Sequence, residues 1–405
     1  MNKLLVFSFG LALLLVFSPE NQAFAQQFQC YDANGDEEVD VADIVTLLFW
    51  MFTGNPTPEP CTSGSGGCSE LELPVESGCR NDPGRFVDNG DDTVTDTCTG
   101  LVWQQGTTDG GKLGWCEALA FADDLVLGGS AEWRLPNIRE LQSIVDYSRS
   151  GPAIHPAFDA ESLSYWSSTP LANGGSIEVP DGEGGMVFVG QARAIDFASG
   201  NPGQVVMRND ICGSPPGSCD VFVRAVRNLG NFTLPDSGQE SCYDVEGVLV
   251  DCGDVTCEAQ DGALDTGCPD DDDRFTDNND GTITDECTGL MWAQESAGGG
   301  DGTGNYNGLW CEAVAFANEL NLATHTDWRL PSIHELQSLV DHDLITPSIN
   351  PLFLTTPLAY WSSTLLFGTE SEAWVVEFDR GGVGPVVTGG CENCFIAVRA
   401  VRDAQ

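Results

Sequence analysis

The strongest chemical pattern in the chain is DANGDEEVDVAD at residues 32–43. Asp32, Asn34, Asp36, Asp40 and Asp43 fall at the first, third, fifth, ninth and twelfth positions of an EF-hand-type loop, and the backbone carbonyl of Glu38 serves the seventh. Calcium takes six to eight oxygens from a flexible loop, and this alternation supplies them. Glu37 stands where a turn glycine is usual; an acidic surface turn is the alternative that needs no metal. The loop runs into IVTLLFWMF at 44–52, apolar almost all round. So short a module cannot bury that helix alone, so the helix either docks on the rest of the chain or presents a partner-binding face. Cys30 and Cys61 bracket the module, and a disulfide between them is expected to close it.

The elements around this loop are organised by duplication. RFVDNGDDTVTDTCTGLVWQQ at 85–105 returns as RFTDNNDGTITDECTGLMWAQ at 274–294, followed in both copies by WCEA, WRLP, YWSST and VRAVR segments in the same order. Each copy has the length of an ordinary domain and is expected to own a core. The boundaries read as a signal peptide (1–25), the calcium-type module (26–62), a linker (63–84), copy 1 (85–228), a Cys-rich acidic connector (229–273) and copy 2 (274–405). The leader MNKLLVFSFGLALLLVFSPENQAFA has one early lysine, an apolar run shorter than the ~20 residues that span a bilayer, and a small-x-small end, so export is expected and membrane insertion is not.

Sixteen cysteines suit an oxidising compartment. A net charge of −46, from 62 acidic and 16 basic residues, repels nucleic acid and anionic membrane surfaces. Cys98 with Cys116, and Cys287 with Cys311, recur at similar spacing, as do Cys212 with Cys219 and Cys391 with Cys394. Recurrence argues for disulfides inside each copy, with the partner of each left open. The connector's Cys242, Cys252, Cys257 and Cys268 allow three pairings.

Within a copy the pattern is α+β: a hairpin and strand, a helix with Ala118, Phe121, Ala122 and Leu125 on one face, and a second helix after WRLP. Asn137 with Glu140, and Ser332 with Glu335, have capping-box spacing. Four tryptophans per copy (Trp103, Trp115, Trp133, Trp166 and their counterparts) read as core, although exposed ones would stack on sugars. Arg134 and Arg329 are expected to buttress the sheet through Glu140 and Glu335. The Asp-rich turns at 88–96 and 277–285 read as hairpin turns, with calcium as a secondary reading. Catalytic patterns are thin: there are four histidines, and His334 and His342 stand opposite Arg139 and Tyr147 in the other copy. No shared acid–base role follows.

Taken together, RFxDNxDGTxTDxxTGLxW, WRLPxxxELQSxVD, YWSST and VRAVR resemble the Lcl C-terminal domain family, and 32–52 resembles one half of a dockerin. The resemblance implies two C-type-lectin-like domains, each with two helices on a twisted antiparallel sheet, preceded by a small EF-hand/dockerin-like helical module. It implies secreted or surface binding of an extracellular glycan or protein. Sulfated glycans are the ligands of the adhesin for which the family is named, but they demand basic clusters, and copy 2 offers only Arg274, Arg329, Arg380, Arg399 and Arg402. The loops at 171–192 and 365–372 are the expected binding surface. Two alternatives stand beside adhesion: an accessory component of an extracellular polysaccharide-degrading complex, and a copper oxidase similar to formylglycine-generating enzymes. Calcium is the expected cofactor, and the oligomeric state is left open.

Overall fold

The computed structural model describes residues 79–107, 112–180, 185–207, 221–230, 234–254, 257–264, 266–268, 274–297, 310–354, 359–369, 371–389 and 396–404. The chain divides into Met1–Glu70 and Leu71–Gln405, and every described residue lies in the second unit.

Copy 1 opens on β1 (Phe86–Asp88) and β2 (Thr93–Asp96), a hairpin that continues into β3 (Leu101–Gln104). Its tip needs left-handed backbone at Gly90 (φ 72°) and Asp92 (φ 65°), which glycine and aspartate tolerate better than other residues. Helix α1 (Trp115–Asp123) buries Trp115, Ala118, Leu119 and Ala122; of the expected face only Ala118 and Ala122 are fully buried, Phe121 and Leu125 are half-buried, and Trp115 and Leu119 turn inward with the alanines. Helix α2 (Ile138–Ser143) starts on a full capping box: the Asn137 side chain accepts from the Glu140 N–H while the Glu140 carboxylate accepts from the Asn137 N–H. Then follow β4 (Ser164–Pro170), the hairpin β5 (Ile177–Pro180) and β6 (Met186–Val189), β7 (Gln191–Asp196), β8 (Asn201–Met207), β9 (Val221–Phe222) and β10 (Val226–Asn228). They make two four-stranded sheets, β1-β2-β3-β10 and β8-β7-β4-β9. The last strand therefore returns to pair with the opening hairpin, Val226 opposite Trp103.

The connector contributes a short hairpin, β11 (Cys242–Tyr243) with β12 (Leu249–Val250), and one helical turn, α3 (Asp261–Leu264). Copy 2 repeats the plan with β13 (Phe275–Asp277), β14 (Thr282–Asp285), β15 (Leu290–Ala293), α4 (Trp310–Glu319), α5 (Ile333–Gln337), β16 (Ala359–Leu365), β17 (Glu372–Glu377), β18 (Gly382–Val387), β19 (Ile396–Ala397) and β20 (Val401–Asp403). Its sheets are β13-β14-β15-β20 and β18-β17-β16-β19. The architecture is α+β and sheet-rich, with few and short helices.

All eight paired tryptophans are buried, and each removes upwards of roughly 2 kcal/mol of apolar surface from water. The core, however, is not two separate cores. One apolar cluster runs from Trp103, Ile138 and Tyr147 of copy 1 to Trp292, Ile333 and Trp374 of copy 2. The copies meet where α2 packs on α5 and β8 on β18. Equivalent elements face each other, the arrangement of an isologous dimer interface built within one chain.

The cystines differ from the expected recurrences. Cys98 pairs with Cys79 and Cys287 with Cys268, both across 19 residues. Cys116 pairs with Cys257 of the connector, and Cys311 is also disulfide-bonded. Of the connector's four cysteines only Cys242 and Cys252 join each other. The connector is thus sewn to both copies, because its chain lies along them and brings Cys257 to α1 and Cys268 to the loop after β14. Closing the 141-residue separation between Cys116 and Cys257 removes about 5 kcal/mol of unfolded-chain entropy in a loop-closure treatment.

Candidate functional site

The WRLP segment positions its arginine by geometry that both copies share. Arg134 meets Glu140 in a two-point contact, 2.6 Å at each oxygen, and Arg329 meets Glu335 at 2.7 Å twice. Because the same carboxylates close the capping boxes, each guanidinium locks a helix start to the WRLP segment, which itself bridges to the last strand of its copy. Arg224 and Arg399, in the terminal VRAVR segments, act differently: each donates to three backbone carbonyls and lies over a phenylalanine and a tyrosine. These four arginines are framework, not ligand contacts.

The Asp-rich turns also resolve as framework. Asp88 accepts from the Gly90 N–H at 2.8 Å, Asp91 accepts from the Thr93 hydroxyl at 2.6 Å, and Asp96 is gripped by Arg85. Asp277, Asp280 and Asp285 do the same in copy 2 with Asn279, Thr282 and Arg274. Among the described residues no group of three or more His, Cys, Asp or Glu is placed to hold a metal ion. The calcium-type residues Asp32, Asn34, Asp36, Glu38, Asp40 and Asp43 lie outside the described residues.

Concavity is found at the junction of the copies. A cleft of about 420 Å³ is walled by Arg139, Gln142 and Ser143 of copy 1 and by His334, Gln337 and Ser338 of copy 2. A second, of about 510 Å³, takes Phe86, Asp146, Tyr147 and His155 from copy 1 and Ser363 and Thr364 from copy 2. Arg80 and His334 line both. The clefts therefore adjoin along the end of α2.

The near-symmetry of the junction makes its unequal residues meaningful. On one side Tyr147 packs edge-on against His334 (5.0 Å) and Trp374 (5.2 Å) and exchanges a hydrogen bond with Gln337. The other side carries the equivalent positions, His342, Arg139 and Arg193. Arg139 donates to the carbonyls of Ser338 and Val340 at the end of α5, and Arg193 to that of Arg380. Burial pulls Arg139 down to about 9 and Arg193 down to about 10. His342 is wholly buried, neither ring nitrogen has a hydrogen-bond partner, and burial, then Arg193 and Arg139, holds it well below the usual imidazole range. His334 is held neutral in the same way, by burial and then by Arg80 and Arg85.

One further buried group lies in the connector, bonded to copy 1 through Thr169. Asp261 in α3 accepts from the hydroxyls of Ser237 and Thr169, 2.6 Å each, and the Thr169 hydroxyl in turn accepts from the Ile138 N–H at the start of α2. Burial raises Asp261 to about 6 against those two donors.

The expected binding loops are only partly free. The described residues 171–180 and 185–192 form a turn and the paired strands β5 and β6, whose base is covered by the connector, whereas 365–372 joins β16 to β17. The sequence reading did not single out Arg139, Tyr147 or Gln142. Two of them were visible as the places where WRLPNIRELQSIVDY and WRLPSIHELQSLVDH disagree. Among the described residues no helix is long and apolar enough to cross a membrane.

No curated protein matches the chain. The Lcl C-terminal domain, by contrast, matches residues 92–227 and again residues 281–402, together more than half of the chain, so the protein belongs to the Lcl C-terminal domain family and carries that domain in tandem.

Proposed function

We propose that this is a secreted, non-catalytic recognition protein whose tandem domains hold an extracellular glycan or protein in clefts that the two copies build jointly. The observation that carries this reading is the pair of adjoining clefts walled by both copies. Their sizes fall within the range of small-ligand sites. The second cleft offers aromatic side chains in Phe86, Tyr147 and His155 beside the hydroxyls of Ser363 and Thr364, a mixture suited to stacking and hydrogen bonding. Of its charged groups Arg85 is committed to Asp96, and in the neighbouring cleft Glu335 is committed to Arg329. Such a lining orients a ligand and leaves it chemically unchanged.

The C-type-lectin-like fold is part of the same proposal, supported by the two helices per copy and by the terminal strands β10 and β20 returning to the opening sheet. Disulfides in the described part suit an extracellular location. Calcium at Asp32, Asn34, Asp36, Glu38, Asp40 and Asp43 rests on ligand spacing and on the hardness of an all-oxygen set.

The test is a glycan and matrix-protein array probed with the intact mature protein and with Ser363→Trp, which fills the second cleft from a half-buried position. Retention by the parent and loss in the variant supports the reading. Equal retention by both places recognition elsewhere and refutes it.

A further inference from the structure

Apart from the clefts, copy 1 carries a surface with no equivalent in copy 2. The base of the β5–β6 hairpin and the connector hairpin β11–β12 are joined by one backbone hydrogen bond and two that use a hydroxyl. The Gly190 N–H donates to the Val245 carbonyl at 2.8 Å, the Ser176 hydroxyl to the Glu246 carbonyl at 2.7 Å, and the Asn173 N–H to the Tyr243 hydroxyl at 3.0 Å. Gly174 and Gly247 touch so closely that a Cβ on Gly174 would lie 1.9 Å from the Gly247 carbonyl oxygen. Cys242–Cys252 closes the connector hairpin and Cys116–Cys257 fixes it to α1. Two-stranded hairpins are marginal by themselves, and here each is braced by the other and by cystine.

This braced unit exposes large apolar side chains instead of burying them. Met186 and Phe188, two apart on β6 and so on one face, are 55% and 58% exposed, and Val248 and Leu249 are 57% and 64% exposed. Carboxylates accompany each pair: Glu178 is directly opposite Phe188 in the hairpin register, and the exposed Glu246 and Asp251 lie two residues from Val248 and Leu249 in the chain. Grouped exposed apolar side chains mark interaction surfaces, and a rigid one loses little entropy on binding.

We propose that the paired hairpins form a docking platform for a basic protein segment, one with apolar side chains flanked by lysine or arginine. The apolar residues select a polypeptide with hydrophobic anchors. Glu178, Glu246 and Asp251, within a chain of net charge −46, select positive flanks and speed their encounter. None of the platform residues lines either cleft, so the inference is independent of what the clefts hold.

The test uses the intact protein and three labelled synthetic peptides followed by fluorescence anisotropy. One alternates leucine with lysine, one replaces the lysines by glutamates, and one replaces the leucines by serines. The Leu/Lys peptide is expected to bind, more weakly in salt, and the other two to bind far less. Phe188→Ser with Leu249→Ser keeps the charge and alters only exposed positions, so it should fold normally and weaken Leu/Lys binding about tenfold or more. Equal binding of the Ser/Lys peptide, unchanged affinity in the double variant, or no binding at all overturns the proposal.

Discussion

Replacing Asp261 by asparagine isolates a buried carboxyl that holds its proton unusually tightly. Its carboxyl rises from an ordinary 3.8 to about 6, chiefly through burial and against two hydroxyl donors. At 1.36 kcal/mol per pKa unit, that rise corresponds to roughly 3 kcal/mol between the two protonation states. The sign follows from linkage: the folded chain holds this proton more tightly than the unfolded chain. The stabilisation is therefore present below about pH 4 and is lost as pH rises through about 6. Above that range the native state carries a buried carboxylate. Asparagine keeps a carbonyl to accept from Ser237 and Thr169 and removes the charge. Urea unfolding of parent and Asp261→Asn, with disulfides intact, should show the variant gaining about 2 kcal/mol relative to the parent between about pH 4 and about pH 8. The value of about 6 already includes the pull of the two hydroxyl donors, so any remaining pH-independent difference between carboxyl and amide moves the whole curve and leaves its slope. A stability difference that stays constant across the pH range would refute the assignment.

Two other outcomes follow from buried polar groups. Glu140→Gln removes the charge that faces Arg134 at two points while keeping the helix cap, and should lower stability by about 3 kcal/mol; Glu335→Gln, at a more exposed pair, should cost less, and calorimetry showing the reverse order would count against the burial argument. His342→Phe should raise stability by about 1 kcal/mol, because it replaces a desolvated imidazole lacking hydrogen bonds beside Arg139 and Arg193 with a ring that needs none; a loss of stability in chemical denaturation would show that the imidazole nitrogens are satisfied.

Much of the local structure was legible because it depends on neighbours in the chain. Asn137 and Glu140 are three residues apart, and their capping geometry needs nothing else. The Asn, Asp and Gly cluster at 88–92 could adopt the positive φ of a hairpin tip whatever surrounded it. The arginine of WRLP found the glutamate six residues on, as charge and reach suggested. The cystines were harder to read, because Cys257 reaches Cys116 through the path of the whole connector across copy 1, and no spacing rule describes such a path. The Gly-rich stretch at 171–192 reads as a free loop when the only signal is composition; its contacts with residues 243–247 depend on how that connector is laid.

The duplication both revealed the fold and concealed the junction, for one physical reason. A residue present in only one copy is a poor candidate for chemistry that each copy performs alone, and on that ground Arg139, Tyr147, His334 and His342 carried no functional weight. That filter assumes equivalent positions have equivalent surroundings. At an internal isologous interface they do not: Tyr147 faces the position of His334, and His342 faces the position of Arg139. Each difference alters one side of the axis only, so one side packs the aromatic set Tyr147, His334 and Trp374 and the other places Arg139 and Arg193 beside His342. The clefts share in this asymmetry, since Tyr147 lines one and Arg139 the other, with His334 in both. Where two copies of a domain pack through the same face, the positions at which they differ are therefore the ones to examine first for specificity.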